Sequence, residues 1–388
     1  MQGSKQEDSS LPNILHSRNK SATQSTSMSQ QIVLITGVTG FLAQHLVAAT
    51  IDAGFRVRGC ATLYFSHLFQ SNFRLIISTI RSASKADALL AKFPNNFETT
   101  VVADVATSDL TAAVKDVTYI LHAASPYTYA FTNGEEALLK PAINGTLNVM
   151  RAARAAGPAL KKVVITSSFA AMVNIPEGGI WRAYEYSEAD WNPFTYELGA
   201  TPGMDPGAVY SVSKTLAERT AWDYAKENNM NVVSFNPPMI YGPALQDSAT
   251  SAAALNASAA TIYQLFSGQL SVIPDDLLPL FCDVRDVAKA HVIALQTPAA
   301  NGARIPLYGG GFTWAQAVEY LHATRPELRD RLVPVGTGNP APSTMSTVST
   351  RAAEEKLGMK SFIGWKQSLD DTVDSLLELE KKWSASAQ

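Results

Sequence analysis

The stretch Val33-Leu-Ile-Thr-Gly37-Val-Thr-Gly40-Phe-Leu-Ala43-Gln-His-Leu46 constrains the rest of the chain most. Four apolar or β-branched residues run into a glycine-spaced turn, and a helical pattern follows. That order predicts a strand over 31–36, a phosphate-binding turn and a helix over about 40–53, with Gly54 as its C-cap. Gly37 lets the strand turn sharply. Gly40 removes a side chain where a pyrophosphate must approach the backbone. Ala43 is small enough for the helix to pack on the strand. The helix N-terminus then presents free N–H groups and a positive dipole end to the phosphates.

Downstream, strand and helix patterns alternate. Strands are expected from 55 onward and over 98–103, 118–122, 162–166 and 231–236. Helices are expected over 83–92, 108–115, 134–156 (with a bend at Pro141) and 209–228. This alternation predicts an α/β chain: a Rossmann-type, doubly wound parallel sheet. Residues 31–243 would form the NAD(P)-binding domain, and an aromatic- and proline-rich loop over 174–208 would contribute to a substrate lobe. Beyond 243 the pattern loosens. Helices are expected at 254–267, 284–297, 313–324 and 367–383, with short strands near 271–273 and 304–308. Residues 244–388 are thus expected to form mainly a smaller, irregular substrate-binding lobe, with the helix over 284–297 returning to the first domain. Residues 1–30 are polar and aperiodic and read as a disordered tail.

One stretch breaks the alternation. Residues 60–78, Cys60 to Ser78, are aromatic-rich and nearly uncharged where a short strand-to-helix connection is expected. Without them, Arg58-Gly59 joins Thr79-Ile80-Arg81-Ser-Ala-Ser-Lys85 as a natural strand end and helix entry. They read as an insertion or an artefact of the gene prediction; a genuine exposed loop is the alternative.

Composition narrows the function. In 388 residues, 46% hydrophobic and 17% charged content is that of a soluble enzyme. A net charge of −3 without a basic run argues against a nucleic-acid partner. No apolar run is long enough for a membrane span. Two cysteines, Cys60 and Cys282, make no disulfide framework and suit a reducing, cytoplasmic setting. The histidines have no metal-ligand spacing, so no metal site is expected.

Tyr210-Ser-Val-Ser-Lys214 supplies the chemistry. Spacing of four on a helix puts Tyr210 and Lys214 on one face, where the ammonium lowers the phenol's pKa toward working pH. A phenol so tuned can protonate a carbonyl oxygen as hydride reaches the carbon. Ser168, at the end of the strand over 162–166, can hydrogen-bond the same oxygen. Tyr127, Phe169 and Met239 follow strand ends or catalytic positions and read as apolar walls of a pocket for a small carbonyl substrate. No acid occurs between Phe55 and Ser84 to accept from ribose hydroxyls, so NADPH is expected over NADH. Arg81 and Lys85 would bind its 2′-phosphate; if residues 60–78 are genuine, Arg58 is the rival.

Six motifs together resemble an extended short-chain dehydrogenase/reductase: Thr36-Gly-Val-Thr-Gly-Phe-Leu-Ala43, Leu121-His-Ala-Ala-Ser-Pro126, Thr166-Ser-Ser168, Tyr210-x-x-x-Lys214, Asn236-Pro-Pro-Met-Ile-Tyr-Gly-Pro243 and Asp283-Val-Arg-Asp-Val-Ala288. The pattern is similar to the dihydroflavonol reductase and cinnamoyl-CoA reductase branch, and within it to fungal methylglyoxal/ketone (carbonyl) reductases. The resemblance implies Ser168, Tyr210 and Lys214 as the catalytic set, with Tyr210 and Lys214 also at the cofactor, Lys214 holding its ribose, and Asn144 holding a relay water. It implies Gly37, Thr39, Gly40, Phe41 and Leu42 at the pyrophosphate, Arg81 and Lys85 at the 2′-phosphate, and Asp104 and Val105 at the adenine. Ala123 and Ser125 would line the nicotinamide side, and Ile240, Tyr241, Gly242, Pro243 and Ser258 would close over phosphates and nicotinamide. Fungal relatives suggest a monomer or homodimer. Two alternatives to carbonyl reduction stand beside it: a nucleotide-sugar epimerase/dehydratase on the same fold, and a non-catalytic NADP-binding sensor or scaffold. Residues 244–281 contain no Lys or Arg to hold a nucleotide diphosphate, which disfavours the first.

Overall fold

The computed structural model describes residues 31–62, 90–94, 96–245 and 249–386. The expected tail, most of the 60–78 stretch, Arg81 and Lys85 lie outside the described residues. The strands of the two sheets around the crevice are β1 Ile32–Thr36, β2 Arg56–Thr62, β3 Phe97–Val102, β4 Val117–His122, β5 Lys162–Thr166, β6 Val232–Asn236, β7 Met239–Tyr241, β8 Leu280–Asp283, β9 Arg304–Pro306 and β10 Gly310–Gly311. The helices that carry the architecture are α1 Phe41–Asp52, α2 Lys140–Ala155, α3 Pro206–Glu227, α4 Val284–Gln296, α5 Trp314–Thr324 and α6 Trp365–Ser386.

Seven strands form one parallel sheet in the order β9-β6-β5-β4-β1-β2-β3. All five residues of β1 are buried, as a central parallel strand with both faces covered requires. Alternate residues feed opposite cores. Val33 and Ile35 pack with Leu46 and Val47 of α1 and Val287 of α4. Ile32 and Leu34 pack with Val149 and Met150 of α2 and Ala221 of α3. Chain direction across the sheet reverses between β1 and β4, and that switch point opens a crevice at the strands' carboxyl ends.

β2 runs through Cys60, Ala61 and Thr62, the first three residues of the stretch read as foreign. Thr36 pairs with Cys60, and Thr62 pairs with Val102. The Cys60 carbonyl accepts the Gly37 N–H at 2.9 Å, so this part of the strand supports the glycine turn directly.

Several boundaries differ from the sequence expectation for identifiable reasons. α3 begins at Pro206 rather than 209, because Asp205 caps it by accepting the Ala208 N–H at 2.9 Å and Pro206 pre-sets the first turn. Pro141 lies in the first turn of α2; the irregularity is a π-helical turn over Glu135–Leu139 just before it. Residues 271–273 form no strand: the Ile273 N–H goes to the Thr337 hydroxyl at 3.1 Å instead of to a ladder partner.

The C-terminal part has its own core, in which Tyr241, Phe266, Phe281, Phe312 and Trp314 pack with Leu369 and Val373 of α6. A small sheet in the order β10-β8-β7 sits beside it. β9 belongs to the main sheet, through its pairing with β6. Among the described residues no helix is long and apolar enough to cross a membrane.

Candidate active site

The crevice is built on its left wall by the glycine turn. Gly37 has φ +71°, and a Cβ there would stand 3.1 Å from Ala124 Cα. The glycine therefore permits both the left-handed turn and the close approach of the β4 loop. Gly40 is the N-cap of α1 and offers no side-chain cap, and the first turn of α1 carries no acid. The leading N–H groups of α1 are thus left to an outside acceptor, and the dipole favours an anion. This geometry fits a pyrophosphate. Thr39, Phe41 and Leu42 are half-buried beside the turn, and Ala43 faces the core as a small contact.

The floor is fastened by Thr36. Its hydroxyl oxygen lies 2.9 Å from His122 Nδ1 and accepts the Ala124 N–H at 3.0 Å. Burial pushes His122 down to about 4, so its imidazole is neutral. Ala123 and Ser125 follow on the same loop, half-buried.

The right wall carries the hydroxyl and phenol. Ser168 leaves β5 in an extended conformation, its hydroxyl accepts the Ala170 N–H at 3.1 Å, and it lies beside the Tyr210 phenol. Tyr210 and Lys214 lie one turn apart on α3, with the ammonium 5.8 Å from the centre of the phenol ring. Lys214 is only 8% exposed, and burial lowers it to about 8, with Glu218 pulling the other way. Burial raises the Tyr210 phenol, and Ser168 opposes that rise. Tyr127 and Tyr129, each about half exposed, stand edge-on to Tyr210 with ring centres 5.4 and 6.3 Å away.

The right wall continues after β6. Met239 and Ile240 are half-buried, Tyr241 and Gly242 are buried, and the Pro243 carbonyl is bonded by His45 Nε2 of α1 at 2.9 Å. Gly242 has φ +139°, and a Cβ there would stand 2.6 Å from Val284 Cγ1. Ser258 is half-buried on the short helix Ala257–Gln264.

Five expected residues are placed otherwise. Phe169 has no exposed surface; it packs edge-on against Tyr186 within a separate core and walls no cleft. Asn144 is exposed on α2, and the residue of that helix that reaches the site's floor is Thr146, 3.5 Å from His122 Nε2. The Asp104 carboxylate is engaged by its own loop, accepting the Ala106 N–H at 2.8 Å and the Thr107 hydroxyl at 3.1 Å, while the Val105 side chain is buried in the core. Arg58 donates to Glu98 at 2.7 Å and to the carbonyls of Ala113 and Lys115, so its charge is committed away from the crevice.

Sequence reading missed the group beneath the site. Glu218, one turn beyond Lys214, is bound by Ser167, Ser234, Asn236 and Arg304. The 210/214/218 spacing was the available signal, but a helical glutamate ordinarily reads as a solvated face.

Comparison with known proteins gives the family and the fold. The pattern of the NAD dependent epimerase/dehydratase family matches residues 33–305. The chain is 30% identical to the NADPH-dependent methylglyoxal reductase of Saccharomyces cerevisiae over 367 residues, covering 90% of this chain and 98% of the relative. It is 31% identical to a ketoreductase of Aspergillus niger over 361 residues, 89% and 97% of the two chains. The fold superposes on yeast methylglyoxal/isovaleraldehyde reductase complexed with NADPH with a TM-score of 0.75 and 29% identity, covering 90% of this chain and 99% of that one. With its parallel sheet, its glycine turn at the switch point and a family pattern spanning most of its length, the chain belongs to the NAD-dependent epimerase/dehydratase family of extended short-chain dehydrogenases/reductases.

Proposed function

We propose that the chain is an NADPH-dependent carbonyl reductase, converting an aldehyde or ketone to an alcohol. The observation that carries this reading is the placing of Ser168 beside the Tyr210 phenol with Lys214 one turn behind, set across the crevice from the glycine turn. When bound, NADPH supplies a hydride to the carbonyl carbon. Tyr210 gives its phenolic proton to the carbonyl oxygen, and Ser168 donates a hydrogen bond to the same oxygen and orients it. The Lys214 charge stabilises the phenolate that is left. Gly37, Thr39, Gly40, Phe41 and Leu42 hold the pyrophosphate on α1. Arg81 and Lys85 take the 2′-phosphate, a role supported by the lack of any acid from Phe55 to Ser84 and by the committed Arg58 side chain. Ala123, Ser125, Ile240 to Pro243 and Ser258 surround the nicotinamide half, and Tyr127 and Met239 border the substrate.

The names of the relatives support methylglyoxal and ketones as the first substrates to try. The absence of Lys and Arg from residues 244–281 speaks against a nucleotide-sugar substrate. The reduced, buried Cys60 and Cys282 support a cytoplasmic location, and a monomer or homodimer goes with this reading. The deciding experiment is NADPH oxidation with methylglyoxal, α-keto esters and aromatic ketones, run beside NADH. Turnover with NADPH is expected; none with any carbonyl would overturn the reading.

A further inference from the structure

Ser168 and the Tyr210/Lys214 pair come from different elements, and their alignment needs a fastening. The Glu218 carboxylate, 2% exposed, supplies one. Oε2 accepts the Ser167 hydroxyl at 2.6 Å and Asn236 Nδ2 at 2.8 Å. Oε1 accepts the Ser234 hydroxyl at 2.6 Å, Arg304 Nε at 2.8 Å and Trp222 Nε1 at 3.3 Å. One carboxylate on α3 therefore binds the ends of β5 and β6 and the first residue of β9. Asn236 passes the tie on, donating also to the Ser168 carbonyl at 3.1 Å. Arg304 balances the charge, stacks 3.8 Å from the Trp191 ring centre, and donates to the carbonyls of Ala171, Glu188 and Asp190.

We propose that Glu218 is a positioning residue for the reduction: it locks the Ser168 loop onto the helix bearing Tyr210 and Lys214. The proposal rests on the carbonyl-reductase reading. It is distinct from the catalytic set because Glu218 meets no substrate. Five side chains donating to one carboxylate exceed what stability alone requires, since a buried ion pair is often no better than an apolar pair. The groups facing Lys214 are Tyr210 and Glu218 on α3 and His122 on β4, with Arg304 of β9 behind Glu218. His122 is neutral through burial, leaving Glu218 as the charge that opposes the burial of the ammonium.

Glu218→Gln and Ser167→Ala, each as the full chain, test the two halves. NADPH affinity by fluorescence, kcat, KM and the pH profile of kcat/KM are read against the parent, whose own turnover tests the reductase reading separately. In Glu218→Gln, kcat is expected to fall about 100-fold at an NADPH affinity within about threefold of the parent, as a misplacement of about 1 Å would give. The alkaline limb of kcat/KM should move to lower pH. In Ser167→Ala, which keeps the charge and removes one tie, kcat should fall about tenfold with the limb unmoved. Parent-like kcat and an unmoved limb in Glu218→Gln overturn the proposal. Should that variant not fold, Ser167→Ala decides alone: a tenfold loss at constant KM supports positioning, and parent kcat overturns it.

Discussion

The Thr36 hydroxyl stands 2.9 Å from Nδ1 of a neutral, buried His122, and it accepts the Ala124 N–H at 3.0 Å. One side chain thus closes the switch point between β1 and β4. Thr36→Val keeps the shape but leaves two buried polar groups without their partner. The expected cost is about 1–3 kcal/mol of stability, read as a lower urea midpoint at unchanged slope. Because the same hydroxyl holds the 123–125 loop against Gly37, NADPH binding should weaken as well, which titration of the folded variant reads.

Tyr210→Phe removes only the proton donor. The ring still meets Tyr127 and Tyr129 edge-on, so the crevice keeps its shape. NADPH affinity should stay near that of the parent while kcat falls about 10²–10⁴-fold, the usual worth of a positioned acid. Full turnover in this variant would refute the assignment. Ser168→Ala should lose less, since Tyr210 still reaches the oxygen.

Activity and stability should respond to pH in opposite senses through Lys214. Its ammonium is held down to about 8 by burial, against 10.5 for an exposed lysine. The reduction uses the charged form, so kcat/KM should be level below about pH 8 and fall above it. For stability, the unfolded chain holds more protons than the folded one between about 8 and 10.5. The penalty of burying Lys214 is therefore full below that window and relieved through it. Lys214→Met should melt higher than the parent at neutral pH, and that advantage should shrink as pH rises from about 8 to 10.5. An advantage independent of pH would show that Lys214 titrates normally.

Arg58 gives a control on cofactor choice. Its guanidinium is tied to Glu98 and to two carbonyls at the end of the short helix Thr111–Val114. Arg58→Ala should lower the melting temperature, costing about 1–3 kcal/mol, while the ratio of NADPH to NADH turnover stays put. A collapse of that ratio would return Arg58 to the 2′-phosphate.

What could be read from the chain itself follows the strength of local signals. β5 falls on Lys162–Thr166, as its run of β-branched residues implies, and the Tyr210/Lys214 spacing fixes one helix face without knowledge of the fold. Side-chain direction after a strand end carries no such signal: Ser168 faces Tyr210, while its neighbour Phe169 turns wholly inward. β7, β8 and β10 are two to four residues long and pair across about 30 to 40 residues of chain, too short for any period to declare. Glu218 was illegible for a different reason, because its partners Ser167, Asn236 and Arg304 are brought to it only by the sheet order.

The specificity end of β2 carries the last prediction. Thr62 is the final residue of that strand, paired with Val102 at the carboxyl edge where a ribose-reading side chain belongs. Deleting the 19 residues from Cys60 to Ser78 brings Thr79, Ile80 and Arg81 into the places of Cys60, Ala61 and Thr62. Thr79 is close in size to the buried Cys60 that it replaces, and its backbone carbonyl can still accept the Gly37 N–H. Arg81 then stands at the strand's end, with Lys85 one turn further on. The shortened chain should fold with the same sheet, bind NADPH at least about tenfold more tightly than the full one, and prefer it to NADH. Arg81→Ala in the shortened chain should abolish that preference, since a bidentate charged contact to a phosphate is lost. Equal NADPH affinity in the two lengths, with Arg81→Ala silent in both, would show that residues 60–78 belong to the enzyme and that the 2′-phosphate is held elsewhere.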